Sequence, residues 1–573
     1  MGSRKKLITT TLPALLCMMV LLLAACGGGQ QGSTTKTRAA TDKQVFILPE
    51  ANVPDIATFD PGLSTDAPSI NAIDMVFTGL VELDSNGNVV GYLAQSWKES
   101  ADHLTYTFHL RPNLKFSDGT ALTSADVAYS IDRALQPATK SGTGPYYLRY
   151  IKDASLLVGG KIKTIIGDSI TTPDASTVII TASAPIPFFL DALTYPCSYV
   201  LEKSLVQKYG NTGFTDHLTE GGGDGPFKVQ SYTHSKQIVF VPNPGYYGPQ
   251  PQLSKVIFPF YKNGDTTYNA YLSGQLSETG IPIAEYDTAK TRNDFHSVPQ
   301  LWINYYAMNY NIKPFDNIDI RQAFALAVNK NVAVQAAWKG SYIATNHIVP
   351  QGMPGYAASL TGVDGAGTQG DQAKAKQLFQ TGLQQEGWSS VSQMPSVTLT
   401  YSSGGTQAPK NEVSILQQNW QNVLGVSVKV EDIDFNKLLT DITANTLQFW
   451  GIAWITDYPD PEDWLTLQFD AGSGNNNMNY GQNHSSDATA QQAIQKQLEA
   501  ADIDQNPTTR FAAYNAAEQS LVNDVAWLPM EQVTATYLVK PCVNNYVVDH
   551  QDLTTPNDWS KVYISTATPC ANT

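Results

Sequence analysis

Residues 396–430 read SVTLTYSSGGTQAPKNEVSILQQNWQNVLGVSVKV. Val397, Leu399 and Tyr401 alternate with polar residues, the period of a half-buried strand. Val413, Leu416, Trp420 and Val423 recur at helical spacing between Asn411 and Leu424. Val426 to Val430 returns to an extended pattern. A strand, a helix and a second strand with short joins form a parallel crossover unit. This unit predicts an α/β lobe with a largely parallel sheet over roughly residues 300 to 525. The apolar run Phe449 to Ala453 is then another strand, leaving into the loop Trp454-Ile455-Thr456-Asp457-Tyr458-Pro459-Asp460-Pro461.

Upstream the pattern changes. Phe227 to Tyr232, Ile238 to Pro242 and Lys255 to Phe260 read as strands. Residues 86–221 carry short strands such as Leu104 to Leu110 among many Gly, Pro, Ser and Thr, which suggests an α+β subdomain. Within it Thr123-Ser124-Ala125-Asp126 opens a helix as a capping box, with Val127, Ile131 and Leu135 on one face. A chain of 573 residues exceeds one core, so at least two lobes are expected. The net charge of −15 argues against nucleic-acid binding, which needs a basic face. The 28 tyrosines and 10 tryptophans suit a wet, adaptable ligand site.

The N-terminus reads as a targeting signal. Arg4, Lys5 and Lys6 precede an uncharged stretch from Leu7 to Ala25, the order of a secretory signal peptide. It ends in Leu23-Ala24-Ala25-Cys26, which resembles a bacterial lipobox and makes Cys26 the expected lipidation site. A plain transmembrane anchor is the alternative, but small residues before a Cys serve no purpose in a span. Two acyl chains would hold the protein at the membrane. Residues 26–41 would be a flexible tether ranging roughly 20 Å from its root. Of the remaining cysteines, Cys542 and Cys570 lie together in the tail and are the expected disulfide, with Cys197 left over. The eight histidines are scattered without zinc-ligand spacing, so no metal or other cofactor is expected.

Several blocks carry a resemblance. Thr58-Phe59-Asp60-Pro61, Phe77-Thr78-Gly79-Leu80-Val81 and Leu93-Ala94-Gln95-Ser96-Trp97 come first. Tyr106 to Arg111, Lys115 to Thr120 and Leu122 to Val127 follow. Further on stand Gly223-Asp224-Gly225-Pro226-Phe227, Asn243-Pro244-Gly245-Tyr246-Tyr247, Ile320 to Ala327, and Glu518-Gln519-Ser520-Leu521. Together they resemble the bacterial extracellular solute-binding proteins of family five, which hold oligopeptide-, dipeptide- and nickel-binding proteins. The resemblance implies a two-lobed, periplasmic-binding-protein-like α/β fold with an extra α+β subdomain and a hinge. The expected division is a signal peptide over 1–25 and the tether. A first lobe would be built from 42–85, 222–300 and 527–573, with the subdomain at 86–221 and a second lobe at 301–526. Most of these blocks are fold signatures. Arg321, for example, is expected to hold a helix in place rather than clamp a ligand.

The resemblance also assigns a site. Asp457 would pair with the α-ammonium of a bound peptide, and Trp454 would wall a pocket, with Ile455 and Tyr458 beside them. Independently, an ammonium taken from water needs a fixed counter-charge, and a charged hydrogen bond is the stronger kind. The plain alternative for Asp457 is a turn residue, the role expected of Asp460 and Asp463. The other lobe would contribute Thr65, Asp66 and Ala67, with Asp66 one place later than the family's acidic residue. Asn304 and Tyr306, in Trp302-Ile303-Asn304-Tyr305-Tyr306, are first core-strand residues and second ligand contacts.

The function implied is an extracytoplasmic lipoprotein on the outer face of the cytoplasmic membrane. It would capture di- or oligopeptides as a monomer and pass them to the permease of an ABC importer. Two other functions are weighed. One is the same role for an oligosaccharide or a metal chelate, although no His or Arg flanks Asp457. The other is a secreted hydrolase using paired carboxylates, for which no nucleophile elbow, zinc motif or phosphate loop is present.

Overall fold

Leu399 and Thr400 pair in parallel with Phe449 and Trp450, and Thr398–Tyr401 pairs in parallel with Lys429–Asp432. The crossover unit is therefore present in the computed structural model, which describes residues 37–567 and residue 570. The signal peptide, the tether up to residue 36 and Cys26 lie outside the described residues.

The connecting helix runs Gln407–Leu424 and buries Val413, Leu416, Trp420 and Val423. It begins earlier than the apolar spacing indicates, because Pro409 sits in its first turn, where a missing N–H costs nothing. The second strand begins later. Val426 and Val428 are buried, but hydrogen bonding starts at Lys429, so the apolar residues pack the approach to the strand.

The sheet containing this unit has seven strands. Its order is Glu278–Gly280, Leu528–Val539, Phe295–Met308, Phe449–Ile455, Thr398–Tyr401 and Lys429–Asp432, with Ile343–Ala344 added on Leu528–Val539. Only the last two of its main junctions are parallel; the first three are antiparallel. The expectation of a largely parallel sheet is corrected to a mixed one. The long antiparallel strands come from chain segments far from the crossover unit, which local periodicity does not pair. Separate apolar cores flank this sheet, one around Phe324, Trp420 and Phe449 and one around Trp464, Tyr514 and Trp527.

A second sheet joins Val45–Ile47, Lys255–Tyr261, Gln237–Pro242 and Phe227–Thr233, and Glu50–Ala51 pairs with its Lys255–Tyr261 strand. A third, four-stranded antiparallel sheet joins Ala94–Glu99, Thr105–Leu110, Thr177–Thr181 and Ile170–Asp174. It packs on the helix Ser124–Leu135, whose capping box forms as read: the Asp126 carboxylate accepts from Thr123 N at 2.8 Å. From Arg38 onward the chain is one contiguous body, and its parts are distinguished by sheet and core.

The family-like blocks dock on one another. Asp224 is buried and accepts from Thr78 N and Thr78 Oγ1 at 2.9 and 2.6 Å. Asp60 caps Pro61–Leu63 and pairs with Arg133 through two contacts of 3.0 and 2.5 Å. Arg321 is fully buried, donates to the carbonyls of Phe315 and Asp524, and pairs with Asp487 at 2.6 Å. Each is a structural role. Cys542 and Cys570 are joined by a disulfide with Cα atoms 5.5 Å apart, and Cys197 is buried and free. Among the described residues no helix is long and apolar enough to cross a membrane.

Candidate functional site

The strand Phe449–Ile455 is held on one edge by Trp302–Met308 along its whole length. Its other edge pairs with Thr398–Tyr401 only at Phe449 and Trp450. From Gly451 to Ile455 that second edge has no strand partner among the described residues. The strand ends where the chain enters the Thr456–Pro461 loop, so Asp457 stands at a strand end, the place where open α/β sheets collect ligands.

Asp463 anchors this loop. It is fully buried, and its Oδ2 accepts from Asp457 N at 3.1 Å, Thr456 Oγ1 at 3.1 Å and Trp454 Nε1 at 3.3 Å. The turn role expected of Asp463 is thus a buried clamp on the loop. Asp460 caps Pro461–Asp463 as expected and also pairs with the buried Arg510. Loss of solvation drives the Asp457 carboxyl up to about 7, against the pull of the Tyr147 hydroxyl, which donates to it. Asp463 lies well above the usual carboxylate range, through burial and then repulsion from Asp457.

Asp457 faces a cavity of about 160 Å³. Thr65, Ala67, Tyr195, Trp302, Ile455 and Gln551 are among the residues that line it. Gln551 Nε2 donates to the carbonyls of Thr456 and Asp457 at 3.1 and 3.3 Å. Asp74, Glu82, Asp549 and Asp552 also line it, while among the described residues no lysine, arginine or histidine does. Burial is the first cause of a raised pKa in three of them: Glu82 reaches about 8, Asp74 about 7 and Asp549 about 6.

The expected residues divide. Asp457, Ile455, Thr65 and Ala67 line this cavity. Asp66 caps the helix Ala67–Val76 by accepting from Ser69 N at 3.0 Å. Trp454 is half-buried against the Trp464 core. Tyr458 turns away from the cavity: it donates to Glu462 and stacks on Phe188 in the core of the α+β subdomain. Asn304 and Tyr306 line a second cavity of about 240 Å³. There Asn304 Nδ2 donates to Glu531 at 2.8 Å and Tyr306 OH to Glu412 at 2.7 Å. Trp302 walls both cavities. The residues that sequence reasoning passed over are Asp74, Glu82, Asp549, Gln551 and Asp552. The acid-rich run Asp549-His550-Gln551-Asp552 near the C-terminus was the available signal.

The family model "Bacterial extracellular solute-binding proteins, family 5 Middle" matches residues 88–477. The chain is 28% identical to the dipeptide-binding protein DppE of Bacillus subtilis over 502 residues, covering 86% of this chain and 88% of that one. It is 30% identical to a dipeptide-binding protein of Lactococcus lactis over 491 residues, covering 82% and 85%. The fold superposes on the Escherichia coli murein tripeptide binding protein MppA with a TM-score of 0.76 at 24% identity, over 93% of this chain and all of that one. The chain therefore belongs to the bacterial extracellular solute-binding proteins of family 5, which bind solutes and are not enzymes.

Proposed function

We propose that the protein captures a di- or oligopeptide in the cavity at Asp457 and delivers it to the permease of an ABC importer. The observation that carries this reading is a raised, cavity-facing carboxylate at the end of a strand whose edge is unpaired from Gly451 to Ile455. A peptide can add to such an edge through its backbone, which recognises any sequence. Its terminal ammonium then meets Asp457 and draws the carboxyl into its charged form. The names of the relatives, which bind dipeptides and murein peptides, support the solute class.

The lobes in this reading are the second sheet with the α+β subdomain and the 295–299 and 534–539 ends of the two long strands, and the remainder of the seven-stranded sheet with its helices. Two strands connect them. Phe295–Pro299 pairs with Leu538–Thr534, the register then shifts, and Ile303–Tyr306 resumes against Gln532–Leu528. The register shift lies beside the cavity and is the proposed hinge; closing about it buries the ligand. Monomeric action and anchoring through Cys26 to the outer face of the cytoplasmic membrane complete the proposal.

Calorimetry with short peptides tests it. Asp457→Asn should lose about 2–5 kcal/mol of affinity, as when a buried charge pair loses one partner. N-acetylation of the peptide should cost a similar amount. Undiminished binding in both experiments would remove Asp457 from the site. A thermal-shift panel including sugars reads the solute class directly, since a bound ligand raises the melting temperature.

A further inference from the structure

Beside the main cavity lies another of about 250 Å³, between the strand Glu50–Ala51, the strands Glu278–Gly280 and Leu528–Val539, and the C-terminal segment. Its volume far exceeds the roughly 10–15 Å³ that a single water needs. Glu50, Glu278 and Asp552 line it, and among the described residues no lysine, arginine or histidine does. Asp552 lines the main cavity as well, so the two share a wall.

Two of these carboxylates are buried, and one of them has an oxygen without a partner. Glu50 is 6% exposed, and its Oε1 has no hydrogen-bond donor. Glu278 is 8% exposed, and the charged groups acting on it are Asp552 and Glu50, both of its own sign. Those acting on Glu50 are Asp552 and Asp66. Buried carboxylates are ordinarily paired, and leaving them unpaired is costly. Such an arrangement is the complement of a cation that arrives from outside. Among the described residues no three acidic, His or Cys side chains are grouped so as to hold a metal ion. The three carboxylates stand on separate elements around a roomy space. That suits an ammonium or guanidinium on a flexible stem, which can reach several acceptors and bring its apolar stem with it.

We propose that this cavity is a subsite for a cationic side chain, so that the protein selects peptides carrying lysine or arginine. The inference rests on the reading of the Asp457 cavity as the peptide site. The peptide backbone would lie in the main cavity and the side chain would pass Asp552 toward Glu50 and Glu278. Neutral side chains would enter the same space without meeting a complementary charge.

The test uses the full chain and alanine peptides of two to five residues. Lysine, norleucine or glutamate replaces alanine at each position in turn, and affinities are measured by calorimetry. At one position lysine should bind roughly tenfold or more tightly than norleucine, the effect of one desolvated charge pair, and glutamate should bind most weakly. In the Glu50→Gln, Glu278→Gln double variant the lysine-to-norleucine ratio should fall toward one. Asp552→Asn, on an accessible loop, supplies a second variant should the double one fold poorly. If alanine frames bind with no lysine preference at any position, or if the preference persists in the variants, this subsite is overturned and the peptide reading stands. If no frame binds, both are overturned.

Discussion

At the scale of single residues, the proposed site turns on one carboxylate, that of Asp457, which burial raises to about 7. Asp457 has three polar neighbours: the Tyr147 hydroxyl, the Gln551 amide acting on its carbonyl, and the Asp463 carboxylate accepting its N–H. Of these, only Tyr147 donates to the carboxylate, which favours the ionised form. Tyr147→Phe should therefore raise the Asp457 pKa above its value of about 7. Peptide affinity measured against pH should rise through a midpoint in the wild type, and that midpoint should move to higher pH in the variant. An unmoved midpoint would mean that another group governs the pH dependence. Asp457 was legible because a known motif covers it. Asp74 and Glu82 were not, although they line the same cavity. They sit in or beside blocks that read as fold signatures, and nothing in their neighbours marks a carboxylate as cavity-facing.

At the scale of elements, the motif blocks act as docking pieces. Gly223 and Gly225 lie against the C-terminal end of the helix Ala67–Val76, while Asp224 between them holds Thr78. A Cβ on Gly225 would stand 2.7 Å from the Val76 carbonyl carbon and 2.9 Å from the Met75 oxygen. Both are backbone atoms, so no side chain can swing aside. Gly225→Ala should cost on the order of 1–3 kcal/mol, the range for overpacking. It should appear as a lower denaturation midpoint with an unchanged slope, and a midpoint equal to wild type would show that the helix can shift. The helix that buries Trp420 was legible because four apolar residues recur at one period. The strand Lys429–Asp432 was misplaced because its residues are mostly exposed and the apolar ones precede it. The mixed character of the sheet was hidden for another reason. Phe295–Met308 and Leu528–Val539 lie more than 200 residues apart and pair across the whole second lobe.

At the scale of the whole molecule, the chain concentrates uncompensated negative charge around its cavities, and this couples stability to pH. Burial is the largest cause of the upward displacement in Glu50 and Glu82, each to about 8, in Asp74 and Asp457, each to about 7, and in Asp549, to about 6. The nearby positive charges weaken this only in part: Arg111 acts on Glu82 and His550 on Asp549. Ordinary values for these groups are 3.8 and 4.5. Between those values and the raised ones the folded chain holds more protons than the unfolded chain. Stability must then fall as pH rises across that window, from about 4 to about 8. Each tenfold change in proton affinity corresponds to about 1.4 kcal/mol. The ligand-free protein should therefore melt at a higher temperature at pH 5.5 than at pH 8. A cationic peptide bound as proposed would supply the missing counter-charge, so the ligand-induced rise in melting temperature should be larger at pH 8 than at pH 5.5. Calorimetric scans at the two pH values, with and without a lysine-containing peptide, check both statements. A ligand-free melting temperature that increases toward pH 8 would show that these carboxylates are solvated or paired in solution, and the charge-driven account of capture would fail with it.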